Sequence, residues 1–453
     1  MTEPDESGSA GLPAEALAKG AGLALPGATM TIGQRCALVC LVCLAPLQGA
    51  PEPYANLRDA ELGYHGASED FVGLTELRLG WFGPSDPEDP LTGDIWWAAN
   101  LAIEEANTAR PEGAPSQPIA DRPSPLAPLP FRLLPRWSVD PWGTGVSQLT
   151  RMVYDEQPLA LLGSIDSATT HLAEQVVAKA NLPLVSPFAT DPTITLAGVP
   201  WMFSCAPSDD AIARALVDAI LASHVSTPAE DSSPDARRAA PDTSHASLLV
   251  LSTTDHESRM TTRAILREFS RRGRLPDLRR EVAPGTVDLA PHLRITTADT
   301  PGTVLIVSGA EDAARLTRAV RAEFPAVAIF GGPSVGRRRY LEHAGPAADG
   351  VVAPRLFAPD SVATATADFV ARFTAARGHA PDFTAALTYD ATQLLTAAIR
   401  RAGPNRAGIR EALIELSPWT GIAGTIEFDG TGQNRSLTVP MGVVRDGTLV
   451  QRR

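Results

Sequence analysis

Along the chain, short apolar runs alternate with longer segments whose apolar residues recur at helical spacing. This alternation predicts strands over 76–82, 130–135, 159–162, 182–185 and 200–204, with helices over 95–107, 146–155 and 211–223. One stretch organises the rest. Residues 159–162 are uninterrupted apolar, as a strand covered on both faces requires, and Gly163 ends the run. Ser167 stands where a helix N-cap belongs, and Ala173, Val176, Val177 and Ala180 follow on one helical face. Residues 182–185 make the next strand. Ser186-Pro187 breaks it, and Thr190 or Asp191 caps a short helix that opens at Pro192.

A second alternating series follows. Strands are expected over 246–251, 303–307 and 326–330, and helices over 259–273, 310–323 and 337–344. Further helices are expected over 360–377, 384–402 and 406–416. Strands over 425–428, 437–444 and 448–450, with turns at Asp429-Gly430 and Asp446-Gly447, close the chain. Two βα halves of similar size predict an α/β protein of two doubly wound parallel-sheet lobes with a cleft between them. The expected organisation is a leader over 1–50, lobe I over 74–206 and again over 353–418, lobe II over 207–352, and hinge and closing strands over 419–453. The Pro-rich stretch 109–130 reads as a surface insertion, and 225–245 as a flexible loop.

The two strands over 159–162 and 182–185 end on one edge of the sheet, each followed by small hydroxyl residues at a helix start. Unsatisfied backbone N–H groups and hydroxyl donors there make a seat for an anion such as a carboxylate. Taken alone, Ser167 and Thr190 read equally well as plain caps.

Several motifs then stand in order: Gly163-Ser-Ile-Asp-Ser-Ala-Thr-Thr170, Leu184-Val-Ser-Pro-Phe-Ala-Thr-Asp-Pro192, Pro200-Trp-Met-Phe-Ser-Cys-Ala-Pro-Ser-Asp-Asp210, Ala385-Ala-Leu-Thr-Tyr-Asp-Ala-Thr-Gln-Leu-Leu395 and Ile426-Glu-Phe-Asp-Gly-Thr-Gly432. Together they resemble the type I periplasmic binding proteins, nearest the branched-chain amino acid (Leu/Ile/Val) substrate-binding proteins of ABC transporters. The resemblance runs from about Leu77 to the C-terminus. It implies a hinge-closing, two-lobed binder. It also implies that Ser167 holds a ligand carboxylate, that the Ala189 carbonyl receives an ammonium, and that Thr190 helps with the carboxylate. The second lobe departs from the pattern. Gly331-Gly-Pro-Ser334 replaces the family's Gly-Pro-Glu turn, His256-Glu-Ser-Arg259 replaces a Tyr-Gly pair, and Ser308-Gly-Ala-Glu311 lacks the usual aromatic residue. A buried ammonium needs a partner acid. Glu257 and Glu311 are the acids expected to supply it from new positions, and either reads alternatively as a solvated surface acid. Trp81, Phe82 and Trp142 are the aromatic residues for the cleft walls, with Trp81 alternatively in the core.

Composition narrows the function. A formal net charge of -13 and the lack of a basic patch argue against a nucleic-acid partner. No phosphate loop, paired-histidine metal motif or nucleophile elbow occurs, so neither catalysis nor a cofactor is expected. His171 and His256 read as surface or capping residues rather than metal ligands, and Cys205 as packing. Cys36, Cys40 and Cys43 lie in an apolar run without histidine or acid among them, against a zinc site. Met30 to about Ala50 reads as an export signal with Arg35 as its positive start, and translation begins at Met1 or Met30. A lipidated Cys40 or Cys43 is the alternative to soluble export. The expected function is extracytoplasmic capture of a small carboxylate, an amino acid or analogue, for an ABC transporter permease. A ligand-sensing receptor of the same fold, and an interaction module with a degenerate cleft, are the rival readings.

Overall fold

The computed structural model describes residues 73–108, 129–224, 247–295, 300–435 and 438–452. The leader with its cysteines, most of the Pro-rich insertion and the 225–245 loop lie outside the described residues.

The first sheet has six strands. They are β1 (Leu77–Phe82), β2 (Phe131–Arg136), β3 (Ala160–Leu162), β4 (Leu184–Ser186), β5 (Met202–Pro207) and, late in the chain, β13 (Gln433–Asn434). Their order across the sheet is β13-β5-β4-β3-β1-β2, and the pairings are parallel. Helices cover both faces, which is why these strands are apolar throughout rather than alternating. On one face Leu79, Leu162, Val185 and Phe203 pack with Ile95 and Ala99 of helix Gly93–Thr108 and with Leu394 and Leu395 of helix Phe383–Ala402. On the other face Leu161 and Leu184 meet Leu172, Val176 and Val177 of helix Ser167–Ala180.

The second sheet has seven strands. It contains β6 (Leu248–Thr253), β7 (Leu278–Val282), β8 (Thr303–Val307), β9 (Ala328–Gly331), β10 (Val352–Pro354), β14 (Met441–Arg445) and β15 (Thr448–Gln451), ordered β15-β14-β10-β9-β8-β6-β7. The pairings from β10 to β7 are parallel, while β14 runs antiparallel to both β10 and β15. Helix Ala310–Glu323 covers one face, and helices Asp209–His224 and His256–Arg271 cover the other. The two short strands β11 (Trp419–Thr420) and β12 (Thr425–Ile426) form a separate hairpin. The chain passes between the sheets after Pro207, after Pro354 and after Asn434.

Several sequence expectations shift. Asp166, not Ser167, is the cap of helix Ser167–Ala180: its side chain accepts from Thr169 N–H, so Ser167 is the first helical residue. Strand β7 has no counterpart among the expected strands. It lies at the sheet edge, where Arg279, Arg280 and Glu281 need no apolar cover and hide the periodicity. Trp81 and Phe82 are core residues at 1% and 0% exposure, so they line no cleft, and Trp142 is a surface residue at 62%. Cys205 is buried, as a packing residue should be. No helix among the described residues is long and apolar enough to cross a membrane.

Candidate functional site

Two helix starts on the first sheet face one helix start on the second. After β3 the chain turns through Gly163–Ile165 into Asp166, whose carboxylate takes the Thr169 N–H at 2.8 Å. That bond satisfies one orphan amide of the first turn and leaves the amide of Ala168 pointing outward. After β4 the loop 187–192 folds back over Ser167. The Ser167 hydroxyl oxygen accepts from Thr190 N–H at 3.2 Å and from Asp191 N–H at 3.3 Å, which fixes the loop against the helix start. After β6, Asp255 accepts from Ser258 N–H and caps helix His256–Arg271. This aims His256 and Glu257 back at the first sheet.

Glu257 occupies the predicted anion seat. Its Oε1 accepts from Ala168 N–H at 3.1 Å, and Ser167 makes a further hydrogen bond to it. Burial pushes the Glu257 carboxyl up to about 8, the nearby charges of Asp166 and Asp209 add to the rise, and the bonds from Ser167 and Ala168 hold it back. A carboxyl group of the chain itself therefore sits where a ligand carboxylate is expected. Asp209 lies deeper. Burial pushes it up to about 7; its Oδ1 accepts from Thr261 Oγ1 at 2.8 Å, and its backbone N–H donates to the Thr190 carbonyl at 2.7 Å.

Beside the seat, His171, Asp191 and His256 converge. His171 Nε2 is 3.3 Å and His256 Nε2 3.4 Å from Asp191 Oδ2, so one carboxylate oxygen lies between histidines of the two lobes. His171 Nδ1 is 3.1 Å from Glu174 Oε2. Hydrogen bonds to Asp191 and Glu174 raise His171 to about 9, against the effect of burial. Burial opposes ionisation of Asp191, but bonds from His171 and Thr193 outweigh it and draw the carboxyl down to about 2.

Of the residues singled out in the sequence, Ser167, Thr190 and Glu257 thus come together. Ala189 lies beneath them, fully buried, with its carbonyl accepting from Ser204 Oγ at 2.7 Å. Glu311 does not join them; it pairs with Arg339 at 2.6 Å on the surface of the second lobe. Glu257 itself bonds to the anion seat rather than standing opposite it. The sequence reading passed over Asp191 as a ligand group and both histidines. The available signal is that each follows the end of a parallel strand, β3, β4 or β6, but these belong to two sheets and only the docking of the two lobes unites the residues.

On the opposite rim, Asp382 accepts from Arg337 Nε at 3.0 Å and from the Arg338 N–H at 3.3 Å. A cavity of about 320 Å³ opens there, lined by Leu341, Leu356, Phe357, Pro381, Phe383 and Leu449 among others.

The periplasmic binding protein family matches this chain over residues 138–447. The chain belongs to that family, whose members bind solutes and are not enzymes. No curated protein matches it. Among solved structures, it is similar to the leucine-binding protein LivK of Thermotoga maritima, at 19% identity and a TM-score of 0.65, covering 83% of this chain and 98% of that one. It is also similar to the branched-chain amino acid binding protein LivJ of Streptococcus pneumoniae in complex with isoleucine, at 17% identity and a TM-score of 0.66, with 83% and 100% covered. A solute-binding protein of R. palustris in complex with benzoate matches at 15% identity and a TM-score of 0.64, with 83% and 95% covered. These likenesses agree with a fold of two mainly parallel sheets in two lobes.

Proposed function

We propose that the protein is an exported solute-binding protein that captures a small carboxylate, an amino acid or close analogue, between its lobes for delivery to an ABC permease. The observation that supports this most is the hydrogen bond from Ala168 N–H to a carboxyl oxygen of Glu257, with Ser167 as its second partner. An amide at a helix start beside a fixed hydroxyl favours a carboxylate through both the hydrogen bonds and the helix dipole. Binding then replaces one carboxylate by another: the lobes part, Glu257 leaves, the ligand carboxylate takes its place, and closure excludes water. The ligands named for the similar structures, leucine, isoleucine and benzoate, all carry a carboxylate.

Ser167 and Thr190 form the ligand's carboxylate side in this reading, the Ala189 carbonyl is the acceptor for an ammonium once it is freed from Ser204, and Glu257 is the group the ligand displaces. An ammonium on the ligand would find Glu257 and Asp209 as its nearest acids. Glu311 contributes only if its carboxylate parts from Arg339, its ion-pair partner within the second lobe. Export and the permease partner follow the family's way of working.

The experiment is a thermal-shift screen against amino acids, other small carboxylates, amides and sugars, followed by calorimetry on any ligand found. A ligand at a hundredfold excess over its dissociation constant stabilises by about 3 kcal/mol. A carboxylate that shifts the wild type and fails to shift Ser167→Ala is the expected result. Stabilisation by neutral compounds alone would overturn the carboxylate reading while leaving the binder reading in place.

A further inference from the structure

We propose that His171, Asp191 and His256 form a site for a divalent, zinc-like metal ion that fastens the two lobes together. Each of the three residues offers a donor atom, and these atoms all lie within 4.8 Å of one another. Around a tetrahedral ion with bonds of about 2.0–2.1 Å, neighbouring donors sit about 3.3 Å apart. Both histidine-to-Asp191 separations, 3.3 and 3.4 Å, meet that spacing. The two imidazole nitrogens approach it by a small turn of His256, whose side chain is 40% exposed and free to move.

The surroundings are those of ligands held for metal. His171 Nδ1 faces Glu174 Oε2 at 3.1 Å, the carboxylate–histidine pairing that orients a metal-binding imidazole. Asp191 Oδ1 is occupied by Thr193, through its N–H at 2.9 Å and its hydroxyl at 2.8 Å, which leaves Oδ2 to the histidines; His171 Nε2 also lies 3.0 Å from Thr193 Oγ1, a contact the ion replaces. Nitrogen and carboxylate donors without sulfur suit zinc and its neighbours better than calcium or magnesium.

The consequence is control of closure. His171 and Asp191 belong to the first lobe and His256 to the second, so a bound ion adds a link that exists only when the lobes meet. This does not depend on which solute the cleft accepts, or on whether it accepts one.

The test uses the full chain, freed of metal, titrated with Co²⁺ and with Zn²⁺. Cobalt should bind one equivalent with the visible absorption of a four-coordinate ion. It should lack the near-ultraviolet thiolate band that Cys36, Cys40 and Cys43 would produce. Zinc should displace the cobalt and raise the melting temperature of the wild type. In His256→Ala, whose side chain supports no core, affinity should fall about tenfold or more and the thermal gain should vanish. His171→Ala should behave likewise, and His292→Ala should match the wild type. Equal binding by wild type and His256→Ala, a thiolate-type spectrum alone, or no metal-dependent change in absorption or melting would each overturn the proposal. Failure of the carboxylate screen would leave this result untouched.

Discussion

At the scale of single residues, Glu257 decides how the cleft rests. An unfolded glutamate titrates near 4.5, whereas this one titrates near 8 because burial disfavours its charge. Between those values the folded chain keeps a proton that the unfolded chain has released. The stability it contributes is complete below about pH 4.5 and is lost as the pH rises through 8. Glu257→Gln keeps an oxygen to accept from Ala168 N–H but cannot ionise. It should leave stability unchanged near pH 5 and raise it by roughly 1–3 kcal/mol at pH 9, where the wild type carries a poorly solvated charge. Urea unfolding at the two pH values measures this, and an equal effect at both would show that the charge of Glu257 is not what matters. His171 adds to the alkaline loss with the same sign. Raised from 6.5 to about 9, its contribution is complete below pH 6.5 and disappears through 9. Asp191, lowered from 3.8 to about 2, contributes above pH 3.8 and loses its part as the pH falls through 2.

At the scale of elements, helix starts carry both the fold and the site; the sequence places the start of helix Ser167–Ala180 to within one residue and that of helix His256–Arg271 to within three. The apolar run before Gly163 and the helical spacing after Ser167 place strand and helix correctly, because a doubly covered strand has no polar face to confuse the pattern. The roles of the two polar residues are another matter. Asp166 and Ser167 are both good caps in sequence, and which one caps depends on the loop 187–192, whose amides occupy the Ser167 oxygen. Asp166→Ala should therefore destabilise the protein by about 1 kcal/mol, the usual loss for a helix cap. Ser167→Ala should cost no more in stability yet abolish carboxylate binding. Denaturant curves and calorimetry on the two variants separate the roles; a Ser167→Ala protein that still binds would return Ser167 to plain structure. Strand β7 and the Glu257 contact escaped the sequence for a shared reason. One is a polar edge, the other a contact between residues 89 apart along the chain, and neither leaves a local period.

At the scale of the molecule, the two lobes are joined on opposite rims of the cleft by different chemistry, and the second rim can be tested alone. Asp382 serves both lobes at once. Its Oδ1 accepts from Thr384 N–H and caps helix Phe383–Ala402 of the first lobe, while its Oδ2 takes Arg337 Nε and the Arg338 N–H of the second. Burial alone would raise this carboxyl, but the Arg337 charge and the bonds from Thr384 and Arg338 outweigh it and hold it below the ordinary value of 3.8. Its stabilising part is present above pH 3.8 and is lost as the pH falls below that. Arg337→Ala removes the charge yet leaves the cap bond intact, so each lobe should keep its own structure. The expected result is a loss of about 1–3 kcal/mol, since a nearly buried carboxylate loses its charged hydrogen bond from the Arg337 guanidinium. It should also give a larger radius of gyration by small-angle scattering and an unchanged far-ultraviolet circular dichroism spectrum. Arg337→Lys, which restores charge without the guanidinium geometry, should recover part of both losses. A variant as compact as the wild type would mean that the Arg337 guanidinium is dispensable for holding the lobes together, and that the Arg338 contacts to Asp94, Pro90 and Asp382, the His171–Asp191–His256 rim and the chain crossings suffice.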